Sequence, residues 1–492
     1  MIFNEQIISG ETMKRYQEAK WTNAMALSLD FNYAMADFVG PEHGLDAEEL
    51  EALTPRMQEL DQDLKSRRQR GELAFYELPY RQETIAEVKK LSKPLLEWFW
   101  DFVVLGIGGS ALGARALHQA LCHPQYNLLA LARRHHRPRL LVADNIDPDA
   151  LYGMLDAVDL RRTVFNVISK SGSTAETLSQ FLFVYGLLKG RLGADKARQR
   201  IILTTDPEQG NLRRLAQSEG FRSLTIPPPV GGRFSIFSTV GIFPAEMVGI
   251  DLDELLAGAR FMDVRLKEGE FKHNLAYRLA ALYYLFYTRK NRPIHVLMPY
   301  ASTLSGVSEW FCQLWAESLG KKFGLQGQVV NVGPTPVRAL GATDQHSQLQ
   351  LYIEGPHDKL ITFLEVEKFQ HLLNIPSLFP ELEGLSYLGD HTLNDLIKAE
   401  KTATAFNLMR NGRPNLTIRI PEINAFTIGQ LLFLFEVTIV CLGGLLGINP
   451  LDQPGVEGGK HTTYGLMGRP GFEEYRQALE TSPAPQERYQ IV

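Results

Sequence analysis

The sequence predicts an α/β protein with two doubly wound, mainly parallel sheets and helical extensions at both ends. Three observations support this. From residue 101 onward, short apolar runs alternate with longer amphipathic segments, the rhythm of strands joined by crossover helices. Two such series are separated by the Leu- and Ala-rich stretch EFKHNLAYRLAALYYLFYTRK. Two of the apolar runs lead straight into Gly- or Ser-rich turns, as strands of a ligand-binding sheet do.

The first ninety residues are polar and helix-prone, with charge runs such as Asp61 to Arg70 (DQDLKSRRQR), and read as solvated helices outside a core. Strands are expected at Phe102–Leu105, Leu140–Asp144, Val164–Ile168, Ile201–Thr205 and Ser223–Ile226, which make one complete unit. The second series is Ile294–Met298, Val329–Val332 and Leu360–Val366. The expected division is a helical extension over 1–90, a first α/β domain over 91–255, a second over 256–448 and a C-terminal segment over 449–492. Leu431 to Ile448 (LLFLFEVTIVCLGGLLGI) is apolar enough to cross a membrane. Glu436 and the pair Gly443-Gly444 favour a buried core helix over a membrane span.

With 492 residues, 45% hydrophobic and 22% charged, the chain falls outside the disordered, collagen-like and small disulfide-scaffold classes. A net charge of −5 gives no electrostatic footprint for non-specific binding to nucleic acid or anionic membranes. Cys122, Cys312 and Cys441 lie far apart and leave an odd thiol, which fits a reducing, cytoplasmic setting. The N-terminus shows no basic region followed by an apolar one, so no secretory signal is expected.

The run FVVL leads into Gly106-Ile107-Gly108-Gly109-Ser110-Ala111-Leu112-Gly113. Glycines there let the backbone approach a ligand, and the following helix offers free N–H groups to an anion. The turn matches G-x-G-x-x-A, yet the acidic residue that a dinucleotide fingerprint needs about 20 positions on is absent; Asp144 is nearly twice that far. A tight structural turn is the alternative. The run VFNVI leads into Ser169-Lys170-Ser171-Gly172-Ser173-Thr174-Ala175-Glu176-Thr177. Four hydroxyls ahead of a helix dipole suit a phosphate, Gly172 permits close approach, and without G-K-[ST] the guest is a phosphomonoester, not a nucleoside triphosphate. Ser173 and Glu176 have capping-box spacing, which predicts a helix starting at Ser173.

In GVSEWFCQLWAESLGKK, Gln313 and Glu317 share a helix face at i, i+4, and Glu317 sits at the edge of the apolar stripe. A partly desolvated carboxylate suits a general base; an exposed Glu317–Lys321 pair is the alternative. Arg233 follows three prolines and two glycines, a stiff loop that can aim a permanent charge. His346 lies in Thr343-Asp344-Gln345-His346-Ser347-Gln348, where a purely structural histidine is the alternative, and Lys460 ends Asp452-Gln453-Pro454-Gly455-Val456-Glu457-Gly458-Gly459-Lys460.

Taken in order, GIGGSALG, SKSGSTAET, VGGRFS, QLWAES, DQHSQLQ and DQPGVEGGK resemble the glucose-6-phosphate isomerase family in its shorter bacterial form, over roughly residues 70 to 465. The resemblance implies two sugar-isomerase-type (SIS) domains. It places the phosphate loop on Ser169, Lys170, Ser171 and Thr174 and the sugar site on Gly109 and Ser110. It places the catalytic base on Glu317 with Gln313 beside it, the enediolate-stabilising arginine on Arg233, ring opening on His346 and Lys460, and a further substrate contact on Gln453. Pro228 and Leu451 depart from the residues usual at those places, and Ser171 and Gly172 replace the Thr-Phe of longer members.

The implied reaction is the reversible isomerisation of D-glucose 6-phosphate to D-fructose 6-phosphate through ring opening and a cis-enediolate, in glycolysis and gluconeogenesis. No metal or other cofactor is expected, and none of the 12 histidines forms an HxH or HExxH pattern. The expected partner is a small sugar phosphate, not nucleic acid or a membrane. Family members are commonly homodimers, which implies that His346 reaches the neighbouring subunit's site. Two other readings stay open: a non-catalytic sugar-phosphate sensor, which has no use for Glu317, His346 and Lys460 together, and an isomerase that also accepts mannose 6-phosphate.

Overall fold

The computed structural model describes residues 14–268 and 270–491. Its strands are β1 (Ser28–Asp30), β2 (Asp101–Leu105), β3 (Arg139–Ala143), β4 (Thr163–Ile168), β5 (Ile201–Thr205), β6 (Arg222–Thr225), β7 (Ile294–Pro299), β8 (Lys321–Phe323), β9 (Val329–Val332), β10 (Thr335–Arg338), β11 (Lys359–Lys368) and β12 (Asn415–Glu422). The helices that bear on the site are α1 (Gly109–Leu121), α2 (Ala175–Leu192), α3 (Leu252–Glu268), α4 (Leu275–Thr288), α5 (Ser305–Leu319), α6 (Ala425–Leu445) and α7 (Glu457–Leu466).

The first sheet is parallel throughout, in the order β3-β2-β4-β5-β6. Helices cover both faces, so β2, β4 and β5 are buried at every position, and this is why they read as uninterrupted apolar runs. The chain enters at β2, steps sideways to β3, then returns to β2's other flank at β4. The strand order therefore reverses between β2 and β4, and a crevice opens at their carboxyl ends.

The second sheet has the order β1-β12-β11-β7-β10. Its four parallel strands, β7, β10, β11 and β12, repeat the sideways step of the first sheet, with the reversal between β7 and β11. Its far edge is β1, antiparallel to β12, so the segment before residue 90 supplies a strand as well as helices. Val329–Val332 is a strand but not a core one. It pairs with β8 in a separate antiparallel ribbon, and Val329 is 60% exposed. The strand beside β7 is instead β10, whose sequence TPVR is masked by a proline that only an edge position tolerates.

Helix α6 is one helix among the described residues long and apolar enough to cross a membrane, with a mean hydropathy of 2.0. It is wholly enclosed by protein, packed against α3, α4 and α5, as the core-helix reading expects. Glu436 lies at its middle, fully buried, with neither carboxylate oxygen partnered. Burial pushes its pKa well above the carboxylate range, so the group is held neutral.

Candidate active site

Three elements meet around Arg233. The loop after β6 turns through Gly231 and Gly232 into a short 3-10 turn, and buries the Arg233 side chain to 1% exposure. The guanidinium donates through Nε to Ser318 Oγ at 2.7 Å, and through Nη2 to the carbonyls of Pro450 at 2.6 Å and Asp452 at 2.9 Å. Its Nη1 donates to Gln453 Oε1 and lies 3.4 Å from Glu317 Oε2. Burial pulls its pKa below the usual guanidinium value, while the carboxylates of Glu317 and Asp452 oppose that shift. A guanidinium nonetheless stays charged in a protein, so this is a fixed cation held by a planar fork.

Helix α5 follows β7, the strand at which the second sheet reverses. Gln313 Nε2 donates to Glu317 Oε1 at 3.0 Å, so the shared helix face expected from their spacing exists. The Glu317 side chain is 32% exposed, one oxygen on Gln313 and the other beside Arg233. The exposed Glu317–Lys321 carboxylate pair does not form. Lys321 is buried and donates to the Glu317 main-chain carbonyl at 2.6 Å.

The glycine turn after β2 closes this cluster from the first sheet. A Cβ at Gly109 would lie 2.3 Å from the carbonyl carbon and oxygen of Gly232, and one at Gly108 would lie 2.8 Å from Gln313 Nε2. Glycine here lets the turn touch both the arginine loop and α5. Ser110 sits in the first turn of α1, which packs against α5; Ser305 Oγ donates to Gln119 Oε1 at 3.3 Å. Asp144, the nearest candidate for a ribose-binding acid, is ion-paired with Arg115 instead.

The hydroxyl loop leaves β4 beside that turn, since Leu105 pairs with Val167 across the sheet. Ser169 Oγ and Thr174 Oγ1 are 2.9 Å apart, and Ser173 Oγ donates to Ser171 Oγ at 3.0 Å. The expected capping box is therefore not formed. Ser173 turns to Ser171, the N-cap is Thr174, and α2 starts at Ala175. Gly172, at φ 61°, does permit a close approach, but of protein: a Cβ there would lie 2.9 Å from the main-chain nitrogen of Asn211. Lys170 is half-buried, and desolvation lowers its pKa against the pull of Asp206.

Helix α7 leans on this loop through Tyr464, whose hydroxyl donates to the Ser173 carbonyl at 3.3 Å. Lys460, one turn earlier on the same face, rests on Glu457 at 2.8 Å and stays accessible. His346 is exposed, in the turn Thr343–His346 after β10, and no side-chain bond joins it to the Arg233–Glu317 cluster or to the hydroxyl loop. Ser318, Asp452 and Tyr464 belong to the surroundings without having been singled out from the sequence, and Lys321, expected only as an exposed partner of the Glu317 carboxylate, is buried on that residue's main-chain carbonyl. Ser318 and Asp452 stand next to Glu317 and Gln453, and that adjacency was the only available signal.

A family model described as phosphoglucose isomerase matches residues 97–471. A glucose-6-phosphate isomerase of Carboxydothermus hydrogenoformans is 47% identical over 456 residues, 92% of this chain and 97% of that protein. One of Rubrobacter xylanophilus is 43% identical over 90% of this chain and 99% of its own length. Among solved structures, a hypothetical protein of Thermus thermophilus superimposes with a TM-score of 0.80 at 37% identity, covering 90% of this chain and all of that one. A glucose-6-phosphate isomerase of Chlamydia trachomatis, at 23% identity and a TM-score of 0.70 over 81% of this chain and 76% of its own, shares the fold. On this footing the chain belongs to the phosphoglucose isomerase family.

Proposed function

We propose that the protein interconverts D-glucose 6-phosphate and D-fructose 6-phosphate, the aldose–ketose step of glycolysis and gluconeogenesis. The observation that carries this reading is a carboxylate, Glu317, held between a buried arginine and Gln313 at the crevice that also receives the hydroxyl loop. An anion can anchor at one end of such a crevice while a C–H bond is presented to a base at the other.

Ser169, Lys170, Ser171 and Thr174, with the N-terminus of α2, take the phosphate, and that binding energy holds the sugar in place. Gly109 and Ser110 line the chain of the sugar, and Gln313 and Gln453 contact its oxygens. Lys460 and His346 move a proton between the ring oxygen and the C1 hydroxyl, which opens the ring. Glu317 then removes the proton from C2, leaving a cis-enediolate, and returns it to C1 while the hydroxyl proton passes from O2 to O1. Arg233 faces the oxygen on which negative charge develops, and a preorganised cation in a dehydrated site favours that state over the ground state. Each step uses a side chain of the protein. His346, exposed and without a hydrogen bond to the Glu317 cluster, acts in the neighbouring site of a cytoplasmic homodimer.

The test is Glu317→Gln, which keeps shape and the Gln313 contact. Turnover and C2 proton exchange should fall about 10³-fold with KM within about threefold, since a positioned general base contributes 10²–10⁴. Turnover retained in that variant would remove Glu317 from the role of base.

A further inference from the structure

Lys321 begins β8, two residues beyond the end of α5, and is 7% exposed. Its ammonium donates to the carbonyl of Glu317 at 2.6 Å and to that of Asp452 at 2.5 Å, and lies 3.2 Å from Asp452 Oδ1. Three acceptors match the three N–H groups of a lysine. The Glu317 carbonyl is one of the last four of its helix, which have no partner within the helix. The Asp452 carbonyl also accepts from Arg233 Nη2, so two cations from different elements hold one oxygen. The turn they hold is braced internally, because Asn449 Nδ2 donates to Asp452 Oδ2 at 3.0 Å and the Leu451 N–H donates to Asn449 Oδ1 at 3.1 Å. Gln453 follows at once, and α7 with Lys460 begins at Glu457.

We propose that Lys321 is a positioning residue, which locks the turn Asn449–Asp452 to the main chain of Glu317 and so sets Gln453 and Lys460 against the base. Side-chain contacts inside the site cannot do this through a turnover. The Arg233–Glu317 and Arg233–Gln453 contacts must re-aim when a substrate occupies the crevice. The two hydrogen bonds of Lys321 go to main-chain oxygens and its third contact to the Asp452 carboxylate, leaving the carboxylate of Glu317 and the amide of Gln453 free to work. The clamp therefore persists while the groups it positions change partners.

The proposal rests on the reading of Glu317 as base, and its test separates the two. Lys321→Met keeps the buried stem and removes the donors. We expect kcat to fall about 10²-fold, the cost of a misplacement near 1 Å, with KM within about threefold because the phosphate loop belongs to the other sheet. Amide hydrogen exchange should quicken across residues 449–466 and stay unchanged in β2 to β6. Unchanged kcat, or unchanged exchange over 449–466, overturns the clamp. The exchange readout holds whatever reaction the wild-type protein performs; a wild type without C2 proton exchange would instead sink the reading of Glu317. Asp452→Ala removes the carboxylate but keeps the carbonyl, and should cost less than about threefold in kcat; a loss equal to that of Lys321→Met would overturn the main-chain clamp. If Lys321→Met does not fold, Lys321→Arg keeps the charge but cannot set one nitrogen between both carbonyls. Its exchange over 449–466 should still quicken, and an unchanged rate there counts against the proposal in the same way.

Discussion

At the scale of single residues, the site is built on charges whose partners are main-chain oxygens and neutral amides as much as opposite charges. Arg233 was legible in the sequence, because prolines and glycines before a lone arginine describe a stiff loop with a cation at its tip. Gln313 and Glu317 were legible from helical spacing. The main-chain partners of Lys321 and the place of Asp452 were not, since carbonyl partners leave no mark on a side-chain pattern and spacing alone pairs Lys321 with the Glu317 carboxylate. Lys170 gives a pH prediction at this scale. Burial lowers its pKa, so raising the pH neutralises it sooner than an ordinary lysine and removes a cation from the proposed phosphate site. kcat/KM, which reports the free enzyme, should decline on its alkaline side from this loss, and Lys170→Met should lower it at neutral pH while flattening that limb. A wild-type alkaline limb left intact in the variant would assign it elsewhere.

At the scale of elements, legibility followed burial. β2, β4 and β5 are covered on both faces and appear as apolar runs, so the sequence reveals them. β1 has three residues, β10 contains a proline at an edge, and β12 alternates polar and apolar residues beside the long apolar run that follows it. None offers a clear apolar run, whereas Val329–Val332, with three valines in four residues, offers one and belongs to an exposed ribbon. The start of α2 shows how neighbours override local signals, for Ser173 prefers a hydroxyl partner to a cap. Helix α6 yields a stability prediction. Glu436 is neutral when folded and ionises near pH 4.3 when unfolded, so the unfolded state gains stability as pH rises above that value. Replacing it with Leu also removes two buried, unpartnered oxygens and should stabilise the protein at pH 8 by about 1–3 kcal/mol. Unfolding in denaturant at pH 5 and pH 8 checks this, with the larger gain expected at pH 8. An equal or smaller gain at pH 8 would show that the carboxyl is not held neutral.

At the scale of the whole molecule, both sheets make the same sideways step, and the helix after each reversal strand, α1 or α5, packs against the other. In the proposed reaction the anchor for the anion comes from the first sheet and the base from the second, so that reading needs both sheets for one site. The proposed homodimer, with the exposed His346 acting in trans, would extend this sharing to a second subunit. Glu317→Gln and His346→Ala variants, each inactive alone, should regain about a quarter of wild-type activity when their subunits are exchanged at random, because half the dimers are mixed and each has one intact site. No recovery after verified subunit exchange would place His346 in its own subunit's site.

The pairing of β1 with β12 also bears on how the molecule is made. Asp30 and Arg419, ion-paired at 2.6 Å, are 389 positions apart. At about 5–20 residues per second, a chain emerging from the ribosome waits on the order of 20–80 s between exposing one and the other. The first sheet has its full set of strands by residue 225 and can close during synthesis, whereas the second waits for its inner strand β12 and only then takes β1 as its edge. β1 emerges well before β12 yet can take its place only after it, so the second sheet is completed long after the first.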